Sequence, residues 1–177
     1  VSDSADSASV DTRAVGRSHI GVSCSFVCHD GDRRILLHQR GPKSRDSREM
    51  WDSGAGELAF GEDFEECVRR EVEEEFGATV LDLVQLGVAN IRRTKAGLRT
   101  HWVSVQFAVR VDPDRVKPSE PDHIRNLTWF GEGELPADLH PALPDLLARA
   151  APHLGWAGTG NGAKGQADDP ASGAARG

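Results

Sequence analysis

The stretch "DFEECVRREVEEEFG", Asp63 to Gly77, constrains this chain more than any other. It has the period of a helix and ends on a glycine suited to a helix stop, with strand-like segments on both sides. At about 100° per residue, Phe64, Cys67 and Val68 share one side, and Glu71, Glu74 and Glu75 continue that side one turn later. Glu73 points away. A stripe that begins apolar becomes acidic where core contacts should continue.

Most glutamate-rich helices show a solvated face. Glu65 with Arg69, and Glu66 with Arg70, have the four-residue spacing that supports such a face. That accounts for Glu65, Glu66 and Glu73, but it leaves Glu71, Glu74 and Glu75 turned inward. Crowded carboxylates are costly there unless cations neutralise them. Three within one turn make an oxygen-rich site for Mg²⁺ or Mn²⁺, ions that keep waters and share phosphate ligands.

The 177 residues suffice for one domain with a sizeable core. Residues 1–17 and 155–177 are small and polar, with little to bury, and read as disordered tails around a folded domain at 18–154. Neither end has the apolar core of a signal peptide, and no segment has the roughly 18 apolar residues of a membrane span. A formal net charge of −7 argues against binding a nucleic-acid polymer. It leaves room for a small phosphorylated ligand whose metal ion reverses the local sign. In "IGVSCSFVC", Val22, Cys24, Phe26 and Cys28 share a strand face, so Cys24 and Cys28 read as small buried apolar residues. With Cys67 they form no disulfide framework, which suits a reducing cytoplasm.

Residues 19–28 and 33–39 read as a strand hairpin turning at "HDGD". The segment "MWDSGAGELAFGED" follows, its glycines permitting close backbone approaches. After the helix come two long strand segments joined across "TKAG", a loop with three prolines, a short strand "LTWF", and a terminal helix in "ALPDLLARAAPHL". The expected fold is α/β, a mixed sheet flanked by helices.

From Gly56 to Gly77 the chain reads Gly-x5-Glu-x7-Arg-Glu-Val-x-Glu-Glu-x-Gly. This resembles the Nudix box, the signature of Nudix hydrolases, at every charged and glycine position. Arg40 upstream, and "SEPDHIRNLTWFGEGELP" downstream, are also similar to the family pattern, which extends the resemblance over about residues 20–150. It implies an α/β/α sandwich and metal-dependent hydrolysis of a nucleoside diphosphate linked to another group. Glu71 and Glu75 resemble the principal metal ligands, with Glu74 beside them. Glu62 resembles the supporting box glutamate, and Arg70 the arginine that holds the glutamates in place. Gly56 is where the loop crosses the helix closely, and a backbone carbonyl near Ala55 is a further candidate ligand.

Gly54-Ala55-Gly56 stands where many members have Pro-Gly-Gly, and Ala78 where a bulky aliphatic is usual, which bears on loop shape and substrate subclass. The proton acceptor stays open among Glu74, Glu75, Glu120 and Asp122. Pro121 holds Glu120 in extended backbone. His101 on a strand reads as structural. Arg40 is a candidate phosphate contact. Trp102, Trp129 and Phe130 are candidates for base stacking, against the ordinary alternative of core packing. A (d)NTP or another nucleoside diphosphate derivative is expected as substrate, and a homodimer is compatible with the pattern. "WDSGAGELAFGE" also resembles Nudix members near isopentenyl diphosphate isomerases. That leaves a prenyl-diphosphate enzyme, and a non-catalytic nucleotide sensor, as alternatives.

Overall fold

Alternation along one strand sets the layering. In β1 (Gly21–His29) the side chains of Cys24, Phe26 and Cys28 enter one core cluster and Val27 enters another. Successive side chains point to opposite faces of a strand, so β1 is covered on both sides. The computed structural model describes residues 15–44, 47–95, 97–119 and 122–157.

β1 turns into β2 (Arg34–Arg40) as an antiparallel hairpin, with Cys28 opposite Leu36. Two short strands follow, β3 (Trp51–Asp52) and β4 (Gly54–Glu57), then helix α1 (Phe64–Phe76). β5 (Val80–Lys95) and β6 (Leu98–Val111) form a long antiparallel pair, and β7 (Ile124–Gly131) returns to β2. α2 (Leu143–Leu154) closes the described fold. Among the described residues, seven strands form one sheet in the order β3-β2-β1-β6-β5, with β4 paired to β1 and β7 to β2. β1 and β6 run parallel, so the sheet is mixed, as expected.

Helix α1 packs on the face that holds Phe26, Phe107 and Val109, and α2 packs on the face that holds Val27, Ile35 and Leu37. The result is an α/β/α sandwich in one domain. No helix of the described residues is long and apolar enough to cross a membrane. The helix bounds match the sequence expectation closely, because their stop signals are local. Gly77 takes the left-handed backbone at φ 57°, and its N–H donates to the Glu73 carbonyl. β3 and β4 were not expected, since a segment with three glycines has no apolar alternation to read.

Gly16 and Gly21 lie under the Trp102 indole, and His101 N–H donates to the Gly16 carbonyl at 2.7 Å. At the other end, Trp156 packs beside the α2 cluster and its Nε1–H donates to the Arg33 carbonyl at 2.9 Å.

His38 is a buried titratable group that acid affects. Burial, with Arg40 and His140 nearby, lowers its pKa to about 4. The ring is neutral in the fold, whereas the unfolded chain takes up a proton near the usual histidine pKa. Stability from this residue is therefore complete above about pH 6.5 and is lost as pH falls toward 4, by at most about 3 kcal/mol. Denaturant titrations at pH 7 and pH 4.5 should show His38→Leu losing less stability between the two than the parent. Equal losses would mean His38 carries none of the acid sensitivity.

Candidate active site

Helix α1 begins at Asp63, whose backbone N–H donates to Glu66 Oε2 at 2.9 Å, and it docks through Cys67, Val68, Val72 and Phe76. The core stripe thus continues past Val68 through Val72 and Phe76. Glu71 and Glu75 flank it, half-buried. Glu74 lies on the far flank with its side chain 53% exposed, so it is not turned inward as the helical angles suggested. Phe64 is likewise 41% exposed, at the first turn of the helix.

Strand β4 crosses beneath the acidic turn. A Cβ placed on Gly56 would lie 1.9 Å from the Glu71 carboxylate, and one on Gly54 would lie 2.1 Å from the Phe26 ring and 2.7 Å from Glu75 Oε2. The two carboxylates therefore rest on bare backbone at alternate residues of one strand. Only glycine at both places lets them approach so closely. Ala55, between them, points to the opposite face.

Arg70 gathers the remaining charge. Its Nε donates to Glu62 Oε1 at 2.8 Å and its Nη2 to Glu62 Oε2 at 3.0 Å, a two-pronged pairing. Nη1 donates to Glu71 Oε1 at 2.6 Å and to Glu74 Oε2 at 3.3 Å, while Nη2 also reaches the Glu57 carbonyl at 3.2 Å. These hydrogen bonds from Arg70 hold the Glu62 carboxyl down at about 2. One guanidinium thus ties three box glutamates to the end of β4.

On the other face of the sheet, a cavity of about 440 Å³ opens between the strands and the start of α2. Ala55 and Arg40 line it. Arg40 Nη1 donates to Asp52 Oδ2 at 2.9 Å, and His140 Nδ1 lies 3.6 Å from the same oxygen. Burial raises the Asp52 pKa although His140 and Arg40 pull against it.

The structure does not bring the two tryptophans to this cavity. Trp102 covers Gly16 and Gly21, and Trp129 packs against the α1-side core with the Arg34 guanidinium 5.9 Å from its ring centre. Phe130 packs edge-on against Trp51 at 5.1 Å. His101 Nε2 is within 3.0 Å of Asn90 Oδ1. Asp122 is held by Lys43 at 2.6 Å, and Glu120 lies outside the described residues. Cys24, Cys28 and Cys67 are free thiols buried in the α1-side core, and none lines the cavity. Burial, and Glu75 beside it, push the Cys28 thiol up.

A model of the NUDIX domain matches residues 17–154. The chain belongs to the Nudix hydrolase family. NAD-capped RNA hydrolase NudC of Mycobacterium tuberculosis is 34% identical over 121 residues, which cover 67% of this chain and 36% of that protein. The chain thus spans little more than a third of the length of the curated relatives it matches. Among solved structures, a MutT NUDIX hydrolase from Burkholderia pseudomallei superposes with a TM-score of 0.66 at 28% identity, covering 74% of this chain and 98% of that one. The NUDIX domain of Shewanella oneidensis NrtR, solved with ADP ribose, shares the fold with a TM-score of 0.62 at 18% identity, covering 83% and 95%.

Asp52 and His140 went unnoticed in the sequence. Asp52 stands inside the glycine-rich segment, and His140 stands alone before α2; neither has a spacing that points to the other. Their meeting depends on β3, which hydrogen-bonds to the 138–140 segment.

The contact at Gly56 yields a direct expectation. Gly56→Ala should lower stability by roughly 1–3 kcal/mol, since the Glu71 carboxylate must move to admit a methyl. Gly133→Ala, where an added Cβ meets nothing within 4 Å, should leave the melting temperature unchanged. Equal effects in thermal melts would contradict the close crossing of β4 and α1.

Proposed function

We propose that this protein is a Mg²⁺-dependent pyrophosphohydrolase that cleaves the diphosphate linkage of a nucleoside diphosphate derivative by attack of water at phosphorus. The observation that carries this reading is the seating of Glu71 and Glu75 on Gly56 and Gly54, with Arg70 holding the glutamates around them. Among the described residues no three His, Cys, Asp or Glu side chains close into a ready-made cage. An open set of two carboxylates and neighbouring backbone carbonyls suits Mg²⁺, or Mn²⁺, which keeps waters and takes phosphate oxygens as further ligands. A carboxylate has several lone pairs, so pairing with Arg70 is compatible with holding a cation. Bound there, the ion would neutralise the diphosphate and make an attacking water more acidic.

The chain's own residues then have separate tasks. Glu71 and Glu75 hold the cation, with Glu74 near it. Glu62 and Arg70 fix the carboxylates so that they need not reorganise during reaction. Glu74, or Glu75, accepts the proton from water, and Glu120 is a third candidate. Arg40, oriented by Asp52, meets a phosphate from the cavity side.

The kinship to an NAD-capped RNA hydrolase supports a nucleotide-derived diphosphate as substrate. The net charge of −7 favours a small nucleotide over a polymer. The three buried free thiols suit a cytoplasmic setting.

The test is turnover against Mg²⁺ concentration over nucleoside triphosphates, NAD, ADP-ribose, nucleotide sugars and NAD-capped RNA. Glu71→Gln and Glu75→Gln should fold, need more Mg²⁺, and lose roughly two orders of magnitude or more in turnover. Glu73→Gln, on the exposed face, should match the parent. Small, equal effects at all three positions would reduce the helix to a solvated acidic face and sink the metal assignment.

A further inference from the structure

Parallel strands covered on both faces are ordinarily lined by Val, Ile and Leu. On the α2 side, β1 and β6 depart from this. Ser23 lies in register with Ser104, and Ser25 with Gln106, so four polar side chains form a square across two neighbouring strands. The opposite faces of the same strands carry Cys24, Phe26, Val105 and Phe107, all in the core. All four polar residues line the cavity.

Two of the four satisfy each other, since the Ser25 and Ser104 hydroxyls are 2.9 Å apart. Gln106 is different. It is only 3% exposed, and its buried Oε1 has no hydrogen-bond partner among the described residues. Its neighbour on β5 is Gly87, which has no side chain of its own, and the Arg149 guanidinium from α2 lies 2.8 Å from where a Cβ there would sit. A buried carboxamide left unmatched costs stability that an apolar residue would not. A donor entering the cavity would match it.

The row through Gln106 also leads to the acidic helix. Ala55 on β4 pairs with Ser25 on β1, and Ser25 pairs with Gln106 on β6. In the plane of the sheet, two strand spacings, about 10 Å, separate Gln106 from β4, on whose opposite face Glu71 and Glu75 rest. That is comparable to the reach of a nucleoside from its 5′-phosphate to its base.

We propose that Gln106 is the base-reading residue of this cavity, its carboxamide pairing with a nucleobase edge that sets a hydrogen-bond donor beside an acceptor. The inference rests on the diphosphate-cleaving reading above and narrows it. A glutamine amide offers the complementary acceptor and donor in one plane, as in its two-bond pairing with adenine. A prenyl diphosphate has no such edge and would leave the amide unmatched.

The test is equilibrium binding of AMP, GMP, CMP and UMP, with ribose 5-phosphate as the base-free probe and isopentenyl monophosphate as the apolar one, in Mg²⁺. None contains a diphosphate bond, so the result does not depend on turnover. At least one nucleotide should bind about tenfold or more tightly than ribose 5-phosphate. Gln106→Leu should erase that preference and leave ribose 5-phosphate binding within about twofold. If Gln106→Leu does not fold, the Gln106 side-chain amide resonances of the parent should shift on saturation with the preferred nucleotide. Equal binding of the base-free or apolar probe, a preference that survives Gln106→Leu, or amide resonances that stay in place would each overturn the proposal. A nucleotide preference that depends on Gln106, in a protein that cleaves no diphosphate, would sustain this inference and remove the hydrolase reading. Diphosphate cleavage with no base preference would do the reverse.

Discussion

Arg70 sits among carboxylates, Glu62 before α1 and Glu71 and Glu74 on it, that would otherwise repel one another. By donating to Glu62, Glu71 and Glu74 and to the Glu57 carbonyl, it joins the loop, the helix and the end of β4 into one unit. Charge-assisted hydrogen bonds of this kind are stronger than neutral ones and direction-specific. They let α1 present Glu71 and Glu75 to a strand instead of splaying them into solvent. The apolar side of the same helix, through Val72 and Phe76, fixes the depth at which those acids rest. Charge and packing therefore act on one helix from two sides.

Strand β4 is where the two halves of the site meet. Gly54 and Gly56 admit the carboxylates from the α1 face, and Ala55 between them lines the cavity on the α2 face. A four-residue strand with this alternation brings a cation site and a ligand cavity against one backbone. The cavity side has its own polar order, with Arg40 and Asp52 at one edge and the Ser25–Gln106 row along the floor. In this account chemistry and recognition occupy opposite faces of one sheet, joined by a segment with almost no side chains.

How much of this could be read in the sequence follows from how local each signal is. The bounds of α1 and α2, the β1–β2 hairpin and the long β5–β6 pair come from periodicity and stop residues a few positions apart. The glutamate pattern is equally local, which is why Glu71, Glu74 and Glu75 could be singled out by spacing, whereas Glu62 and Arg70 entered only through the resemblance to the Nudix box. Glu74 was turned the wrong way because helical angles alone do not say where the docking stripe ends. That was decided by Val72 and Phe76 reaching a core built from distant strands. Asp52 and His140 are 88 positions apart and meet only through β3. The polar row was not read from the sequence. Ser23 and Ser25 alternate with the cysteines, and Ser104 and Gln106 alternate with valines, but the strand pairing that aligns them is long-range. Trp102 and Trp129 show the converse, since aromatic residues on strands serve the packing here.

The central claim is that Glu71 and Glu75, seated on Gly56 and Gly54 and steadied by Arg70, hold a divalent cation. Anomalous scattering from crystals soaked in Mn²⁺ tests it most directly. The account predicts a peak within coordination distance of the Glu71 and Glu75 carboxylates, next to β4, that disappears in Glu75→Gln crystals. A peak that persists in that variant, or Mn²⁺ bound only elsewhere on the acidic surface, would contradict it.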